Sequence, residues 1–273
     1  MKDDLRRLTA ETSDRWRARN LVREYLQARI LQFIQESGLF RAWIFHGGTA
    51  LRFLHGLPRF SEDLDFALAA AKTPPPPFSS VWPKAEAWFS AEAYRLEVKI
   101  DDSRTVHSAW LRFPGLLHEI GLSPHRTEIL SVKVELDVHP SAAGATETTV
   151  VRRHVLLNLF HYGRATLWAG KLHAVLTRPY VKGRDIYDLF WYLAAPDWPE
   201  PDLGFLKAAL VQTGWRGPEP TSANWTELVS QKLESIDWPK AVADAKPFVE
   251  RIGDLEMMTR EALKGLLSKR SRL

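Results

Sequence analysis

Two aspartates, Asp63 and Asp65, stand one residue apart at the start of a stretch that is otherwise apolar, DLDFAL. Successive side chains of a β-strand point to opposite faces, so a strand here places both carboxylates on one face and Leu64 and Phe66 on the other. Two carboxylates on one strand face repel each other unless a cation lies between them, and magnesium accepts a few carboxylate oxygens together with substrate phosphates. The stretch therefore predicts a strand with a buried back and a metal-binding front. The alternative is a strand end with two solvated aspartates, because short motifs of this kind often occur without function.

A glycine pair lies upstream, between an apolar stretch at 41–45 and a helical pattern over 50–54. Gly47 and Gly48 let the backbone approach a ligand closely, and the free amides of a helix start favour phosphate. Strand, glycine pair, Thr49 and helix together predict a cradle for the phosphates of a nucleotide. The alternative is an ordinary tight turn in which Thr49 caps the helix.

This arrangement resembles the polymerase-beta-like nucleotidyltransferases, in which a glycine pair on a strand-to-helix turn precedes two acidic residues separated by one apolar residue. The fuller string GGTALRFLHGLPRFSEDLDF is more narrowly similar to the AbiEii/AbiGii family of nucleotidyltransferase toxins, which shares the RFSEDLDF wording. The resemblance implies an α+β fold, with a mixed-sheet nucleotidyltransferase domain and its N-terminal helix over 1–150. A mainly helical domain over 151–273 is expected to complete the active site, in the cleft between the two domains.

A second stretch supports the resemblance independently. The residues KLHA from Lys171 onward, followed by GRDIYDL at 183–189, match the family's second signature, KLxA and GRDhYDL. In that family the lysine and the first aspartate are essential. The resemblance therefore implies that Lys171 contacts the triphosphate and that Asp185 positions Lys171 or aligns the acceptor. The residues alone favour a Lys171 head that is free, an N-cap at Asp185 and a first-turn acid at Asp188.

A third carboxylate is expected from a later strand. Residues 131–138, SVKVELDV, alternate apolar and charged side chains and predict one buried and one ionic face. Nucleotidyltransferases of this superfamily take a third carboxylate from a strand beside the one that carries the aspartate pair. Glu135 and Asp137 share the ionic face and are both candidates, and the resemblance to the family's KhEh wording favours Glu135. The alternative is an edge strand whose charged side chains face water.

The expected enzyme transfers a nucleoside monophosphate from an NTP to an acceptor hydroxyl. The expected metal is Mg²⁺ or Mn²⁺, and the NTP is a substrate. The catalytic candidates are Asp63, Asp65, Lys171 and Asp185. The nucleotide-binding candidates are Gly47, Gly48, Thr49 and Lys171, and the metal-binding candidates are Asp63, Asp65 and Glu135.

Composition excludes several other kinds of site. The sequence of 273 residues contains no cysteine, which excludes disulfides, thiolate metal sites and cysteine catalysis. The histidines, including His173, have no spacing typical of a zinc site or a catalytic triad and are interpreted as structural. The first 16 residues hold no apolar signal region, and no stretch is long enough to cross a membrane, so a cytoplasmic protein is expected.

The charge of the chain bears on its partners. A net charge of +4 and an isoelectric point near 9.3 are compatible with a nucleic-acid partner. The basic residues near the two ends are interpreted either as solvated surfaces or as contacts to RNA phosphates. They are Arg15, Arg17, Arg19, Arg23, Lys264, Lys269, Arg270 and Arg272. Relatives in the family extend or block the 3′ end of tRNA and are encoded with an antitoxin, so the resemblance implies a tRNA acceptor and an antitoxin partner.

Two other functions stay open at this point. One is an NTP-dependent phosphotransferase that modifies a protein side chain. The other is a nucleotide-binding regulatory module without catalysis, which the complete set of catalytic candidates argues against.

Periodicity and turn residues predict the remaining elements. Strands are expected at 96–100 and 105–113, and helices at 13–36, 83–94, 203–211, 226–236 and 254–267, with two more inside 167–193. Lys72, Thr73 and the proline run at 74–77 predict a stiff surface connection. The tryptophans after residue 197 are interpreted as core packing of a helical domain, with base stacking as the alternative.

Overall fold

The computed structural model describes residues 2–70, 74–141 and 144–271. Lys72 and Thr73 of the predicted connection and Arg272 of the basic tail lie outside these residues. The chain divides into two compact units. The first comprises Met1–Gly56, Phe60–His139 and Glu147–His161, and the second comprises Leu57–Arg59, Pro140–Thr146 and Tyr162–Leu273.

The first unit is built on a mixed sheet, which has seven strands within the described part of the chain. The strands are β1 (Trp43–His46), β2 (Asp63–Leu68), β3 (Glu97–Asp101), β4 (Val106–Pro114), β5 (Ile129–Asp137), β6 (Thr146–Arg153) and β7 (Val155–Tyr162). Their order is β3-β4-β5-β2-β1-β7-β6. β2 is antiparallel to β1 and parallel to β5, so the aspartate-bearing strand is central. The predicted α+β fold with a mixed sheet is confirmed.

Several helices of the first unit pack on this sheet. The unit contains α1 (Lys2–Ala10), α2 (Arg15–Glu36), a 3₁₀ turn (Leu39–Arg41), α3 (Gly47–His55), α4 (Phe78–Ala91) and α5 (Leu116–Glu119). α2 begins where the Asp14 side chain accepts hydrogen bonds from the first helical amides, as the expected helix at 13–36 requires. α4 begins at Phe78, five residues before the predicted start at Pro83, and the added residues bury Phe78, Val81 and Trp82 in the core.

The central position of β5 overturns one alternative. Its charged residues do not belong to an edge strand, because β4 pairs with one side of β5 and β2 pairs with the other. Val132, Val134 and Leu136 are buried with relative exposures of 3% or less, and the charged residues between them are partly exposed. The predicted alternation is therefore confirmed as a division between core and open face.

Strands β6 and β7 are elements that the sequence analysis did not predict, and they continue the sheet past residue 150. Beside them lies a buried ionic cluster in which Arg52, Arg153 and His154 all contact the carboxylate of Glu24. Burial alone would raise the pKa of Glu24, but the hydrogen bond from His154 and the charges of Arg52 and Arg153 lower it to about 2. The cluster joins α2, α3 and the β6–β7 turn.

The second unit is helical. Its helices are α6 (Arg164–Thr177), α7 (Gly183–Ala194), α8 (Leu203–Gln212), α9 (Trp225–Glu234), α10 (Trp238–Ala245), α11 (Gly253–Met257) and α12 (Arg260–Arg270). The helix expected at 254–267 is interrupted at Met258, and Thr259 caps α12. Trp168 stacks on Tyr192 with ring centroids 4.4 Å apart, and Trp198 and Trp225 are buried around them. These tryptophans form core, as the composition suggested.

The described ranges contain no helix that is both long enough and apolar enough to cross a bilayer.

Candidate functional site

Asp63 and Asp65 lie on one face of β2, as their spacing predicts. Both are partly exposed, while Leu64 and Phe66 are buried at 0% and 1%. In the sheet, Asp65 is in register with His46 of β1 on one side and with Glu135 of β5 on the other. The polar face of the central strands therefore carries carboxylates on two adjacent strands.

Gly47 packs its backbone against the Asp65 carboxylate. Gly47 is the first residue of α3 and has a φ of +78°, a conformation that side chains other than glycine rarely adopt. A Cβ atom at this position would overlap the Asp65 carboxylate. The glycine therefore brings the start of a helix, with its free backbone amides, directly to the acidic strand. Gly48 follows it as the second helical residue.

Thr49 is buried and its hydroxyl faces the strand. Its Oγ1 donates a hydrogen bond of 2.5 Å to the main-chain oxygen of Asp63. The N-cap of α3 is His46, so the alternative in which Thr49 caps the helix is wrong. The structure thus gives Thr49 a positioning contact that fixes α3 to β2 at the first aspartate.

The register of β5 separates the two candidates for the third carboxylate. Glu135 is opposite Asp65, whereas Asp137 is opposite Ala67, about 7 Å farther along the strand. Glu135 also forms an ion pair with Lys133 on its own strand. Among the residues described, no group of three or more histidine, aspartate or glutamate side chains is arranged to hold a metal ion. The assignment of Glu135 therefore stays a prediction.

The donor chemistry of this face fits a magnesium or manganese ion that is shared with substrate. Hard divalent cations take oxygen ligands, and magnesium is usually held by one or two carboxylates together with substrate phosphates. Asp63 and Asp65 present two carboxylates on one face, and the start of α3 presents backbone amides beside Asp65. The arrangement suits a metal–triphosphate complex better than a metal held only by protein.

Lys171 of the second unit is held by two carboxylates. Its Nζ lies 3.3 Å from Oδ1 of Asp185 and 2.7 Å from Oδ2 of Asp188, both on α7. Its side chain is only 13% exposed. The expectation that the lysine head would be free is therefore wrong, because the neighbouring helix supplies counter-charges that the sequence of α6 does not reveal.

Asp188 is the most buried member of this group. Nε and Nη2 of Arg59 each donate a hydrogen bond of 2.6 Å to its carboxylate, so the pair is bidentate. Arg59 is 2% exposed and Asp188 is 0% exposed. Burial alone would raise the pKa of Asp188, but the charges of Arg59 and Lys171 hold it below its ordinary value. The interpretation of Asp188 as a first-turn acid is wrong, because α7 begins at Gly183 and Asp188 lies in its second turn, buried against Arg59 and Lys171.

Asp185 has partners of its own. α7 begins at Gly183 after Lys182, so Asp185 lies inside the first turn and is not the N-cap. The carboxylate is buried and accepts hydrogen bonds from Lys171 and Arg178. The contact with Lys171 is the one that the first predicted role of Asp185, positioning Lys171, requires, and the role itself stays a prediction.

Close packing explains why the GRD motif begins with a glycine, Gly183. A Cβ atom at Gly183 would overlap the main-chain oxygen of Ala241 on α10. The Gly183 amide also donates a hydrogen bond of 2.7 Å to Oδ2 of Asp244. Close contact between α7 and α10 therefore fixes the start of the helix that carries Asp185 and Asp188.

Sequence reasoning missed three functional candidates of the second unit: Arg59, Arg178 and Asp188. The spacing of Asp185 and Asp188 offered a signal, because residues three apart on a helix share a face. Arg59 stands in the RFSEDLDF string, but its partner is 129 positions away in the sequence. No local pattern indicates a pair of that separation.

Most basic residues near the ends of the chain are bonded within their own unit. The pairs are Arg15 and Arg19 with Glu128, Arg23 with Glu62, Lys264 with Glu234, and Arg270 with the main-chain oxygen of Trp198. These basic residues therefore have partners within the fold, and their interpretation as contacts to RNA phosphates stays a prediction.

Comparison with known proteins gives a family match and similar crystal structures. Residues 29–262 match the model of the family described as nucleotidyl transferase AbiEii toxin, type IV toxin–antitoxin system. The fold is similar to the crystal structure of a proposed nucleotidyltransferase from H. pylori, with a TM-score of 0.52, 17% identity, and 90% of this chain and 95% of that chain covered. It is also similar to JHP933 from Helicobacter pylori, with a TM-score of 0.53, 18% identity and coverage of 91% and 92%. Comparison with curated protein sequences gives no match.

Proposed function

Because the chain belongs to the AbiEii family of nucleotidyltransferase toxins from type IV toxin–antitoxin systems, we propose that it transfers a nucleoside monophosphate from an NTP to the 3′ end of tRNA. In this reaction the acceptor hydroxyl loses its proton, its oxygen bonds to the α-phosphate, and the bond to the β-phosphate breaks to release pyrophosphate. The proposed metal is Mg²⁺ or Mn²⁺. The proposed setting is the cytoplasm, with a cognate antitoxin as partner.

The observation that carries the proposal is the contact between Gly47 and Asp65. The φ of +78° and the close approach leave room only for glycine, so the start of α3 is fixed against the acidic face of β2. Backbone amides that favour phosphate thus lie beside carboxylates that favour a cation. A metal–triphosphate complex satisfies both groups at once.

Asp63 and Asp65 are the residues proposed to hold the metal, with Glu135 as the third carboxylate. When bound, the metal would neutralise phosphate charge and lower the pKa of the acceptor hydroxyl. The chain's own task at this face is to hold the reactants in line, since phosphoryl-transfer enzymes work chiefly by positioning and charge stabilisation. Thr49 supports that task by fixing α3 to β2.

Lys171 is proposed to contact the triphosphate, and Asp185 and Asp188 to hold its ammonium group in place. A lysine is a compact charge on a flexible stem, which suits phosphate oxygens whose charge changes during transfer. Asp188 in turn is fixed by two hydrogen bonds from Arg59. This chain of contacts limits the positions that the ammonium group can adopt.

The test is incorporation of label from each α-labelled NTP into total RNA and purified tRNA in the presence of magnesium. The Asp65→Asn variant removes one ligand charge from an open face and is expected to abolish transfer while keeping the thermal unfolding curve. Asp102→Asn, which makes the same change at an exposed residue outside the strands, is the matched control and should be fully active. Full activity of Asp65→Asn in magnesium would refute the role of the aspartate pair.

Product analysis separates the enzyme alternatives. Nucleotidyl transfer leaves pyrophosphate, whereas a phosphotransferase that modifies a protein leaves NDP. A regulatory module without catalysis leaves neither product. In cells, expression of the wild-type chain is expected to arrest growth and to leave tRNA with altered 3′ ends, and Asp65→Asn is expected to do neither. Arrest with unmodified tRNA would contradict the proposed acceptor.

A further inference from the structure

The polar face of the sheet carries a partly exposed tryptophan on the same side as the aspartates. Trp110 of β4 is in register with Lys133 of β5, and Lys133 is in register with Asp63 of β2. Trp110 is 42% exposed, although its neighbours along β4, Ala109 and Leu111, are fully buried. A large aromatic ring therefore lies on the open face, two strands from the carboxylates, which is about 10 Å at the usual strand spacing.

Two lysines flank this ring. The Nζ of Lys133 lies 5.1 Å from the centroid of the Trp110 ring, a cation–π contact. On the other side, Lys99 of β3 is in register with Trp110 and is exposed. An aromatic ring between two cations is the combination that binds single-stranded nucleic acid, because the ring stacks a base and the cations contact the phosphates.

Three of the acidic side chains that share this face have cationic partners nearby. Glu135 pairs with Lys133, and Asp101 lies 3.8 Å from Arg104. Glu97 lies 2.9 Å from Arg95. Pairing reduces the repulsion that these carboxylates would exert on a polyanion, so the row of Lys99, Trp110 and Lys133 stays compatible with a phosphate backbone.

The in-line arrangement of the attacking and leaving groups indicates that the acceptor, and not the NTP, reaches this surface. The start of α3 follows β1, which is the neighbour of β2 on one side, while β5 and β4 lie on the other side. Attacking and leaving oxygens lie roughly in line in phosphoryl transfer. If the leaving pyrophosphate lies at α3, the acceptor approaches from the side of β5 and β4, where Trp110 lies.

We propose that Trp110, flanked by Lys99 and Lys133, stacks a nucleobase near the 3′ end of the RNA acceptor while the terminal hydroxyl lies at Asp63 and Asp65. This inference rests on the proposed nucleotidyl transfer for its direction. The contact is independent of base identity, since every base offers a π face. It would hold an unpaired 3′ end in register with the aspartates without reading the sequence.

Binding of a short single-stranded RNA with a fluorescent label at its 5′ end tests the proposal without requiring turnover. Trp110→Ala should weaken binding roughly tenfold, which corresponds to the loss of one stacked base, and Trp110→Phe should recover most of it. Trp16→Ala is the matched control, because Trp16 is an exposed tryptophan (64%) at the start of α2 and not on the sheet. Lys99→Gln should weaken binding and reduce its dependence on salt.

A second measurement uses the wild-type protein alone and so does not depend on the folding of a variant. The same RNA with abasic sites at its last nucleotides should bind roughly tenfold more weakly than the intact strand. In turnover assays, Trp110→Ala should raise the KM for the acceptor and leave the KM for the NTP unchanged.

Equal binding of intact and abasic strands to the wild-type protein would overturn the proposal, as would a Trp110→Ala variant that is folded and binds normally. A rise confined to the KM for the NTP would assign the stacked base to the nucleotide substrate and would also overturn it. RNA binding that depends on Trp110 in a protein without transfer activity would support the surface and refute the proposed function, so the two failures are distinguishable.

Discussion

The bidentate pair of Arg59 and Asp188 is expected to be the most sensitive stabilising contact of the helical unit. Asp188→Asn removes the charge but keeps the shape of the side chain. The guanidinium of Arg59 then stays buried at 2% exposure without the charge of Asp188, which accepts both of its 2.6 Å hydrogen bonds, and Lys171 loses the nearer of its two carboxylates. Removing one partner of a buried ion pair costs about 3–5 kcal/mol, so we expect a loss of unfolding free energy of about that size.

Urea unfolding followed by circular dichroism and by tryptophan fluorescence measures this loss. The indole rings of Trp168, Trp198 and Trp225 lie in the core of the same unit and report its unfolding. Asp102→Asn again serves as the control for the chemical change and should alter the free energy by less than about 0.5 kcal/mol.

A double substitution sharpens the test. Arg59→Met combined with Asp188→Leu replaces both charges with apolar groups of similar volume, a change that is often neutral or stabilising in buried pairs. We therefore expect the double variant to be more stable than Asp188→Asn. An Asp188→Asn variant whose unfolding free energy lies within about 0.5 kcal/mol of wild type would refute the reasoning. So would a double variant whose loss of unfolding free energy equals the sum of the losses of Arg59→Met and Asp188→Leu measured singly.

Three further predictions concern the site and the acid stability of the sheet unit. Lys171→Ala should lower kcat/KM for the NTP about a hundredfold. It should leave α6 folded, because alanine is a good helix former. A less stable variant with normal kinetics would make Lys171 structural. Gly47→Ala should abolish transfer and lower the unfolding free energy by more than about 1 kcal/mol, because its Cβ would overlap the Asp65 carboxylate at a positive φ. The control, Gly265→Ala on an exposed helix face, should be active and no less stable than wild type. The pKa of Glu24 is about 2 in the fold and near 4.5 in the unfolded chain, so its contribution of about 3 kcal/mol is present above pH 4.5 and is lost as the pH falls toward 2. Acid titrations of unfolding should show this loss in the wild type but not in Glu24→Gln; parallel curves for both proteins would contradict it.

Elements with a strong local pattern were predictable from the sequence. The strand at Asp63 follows from the alternation of charged and apolar residues from Asp63 to Phe66, and the helix at 15–36 follows from its spacing and its capping residues. Strands β6 and β7 were missed although they are consecutive in the chain and adjacent in the sheet. What the sequence could not indicate is the pairing of β7 with β1, in which His161 lies opposite Phe45. The break at Met258 was missed because apolar residues continue through it at helical spacing, although Thr259 could have signalled the new start.

The sequence by itself determined which residue types meet a phosphate or a cation, because a glycine pair before a helix and two aspartates on one strand face depend only on neighbours in the chain. Only the tertiary structure decided their partners. The register of β2 and β5 places Glu135, and not Asp137, opposite Asp65, and the packing of α6 on α7 turns Lys171 toward Asp185 and Asp188. Arg59 donates hydrogen bonds to Asp188, which lies 129 positions later in the sequence. Such contacts depend on the register and packing of elements far apart in the chain, and periodicity within one element carries no information about either.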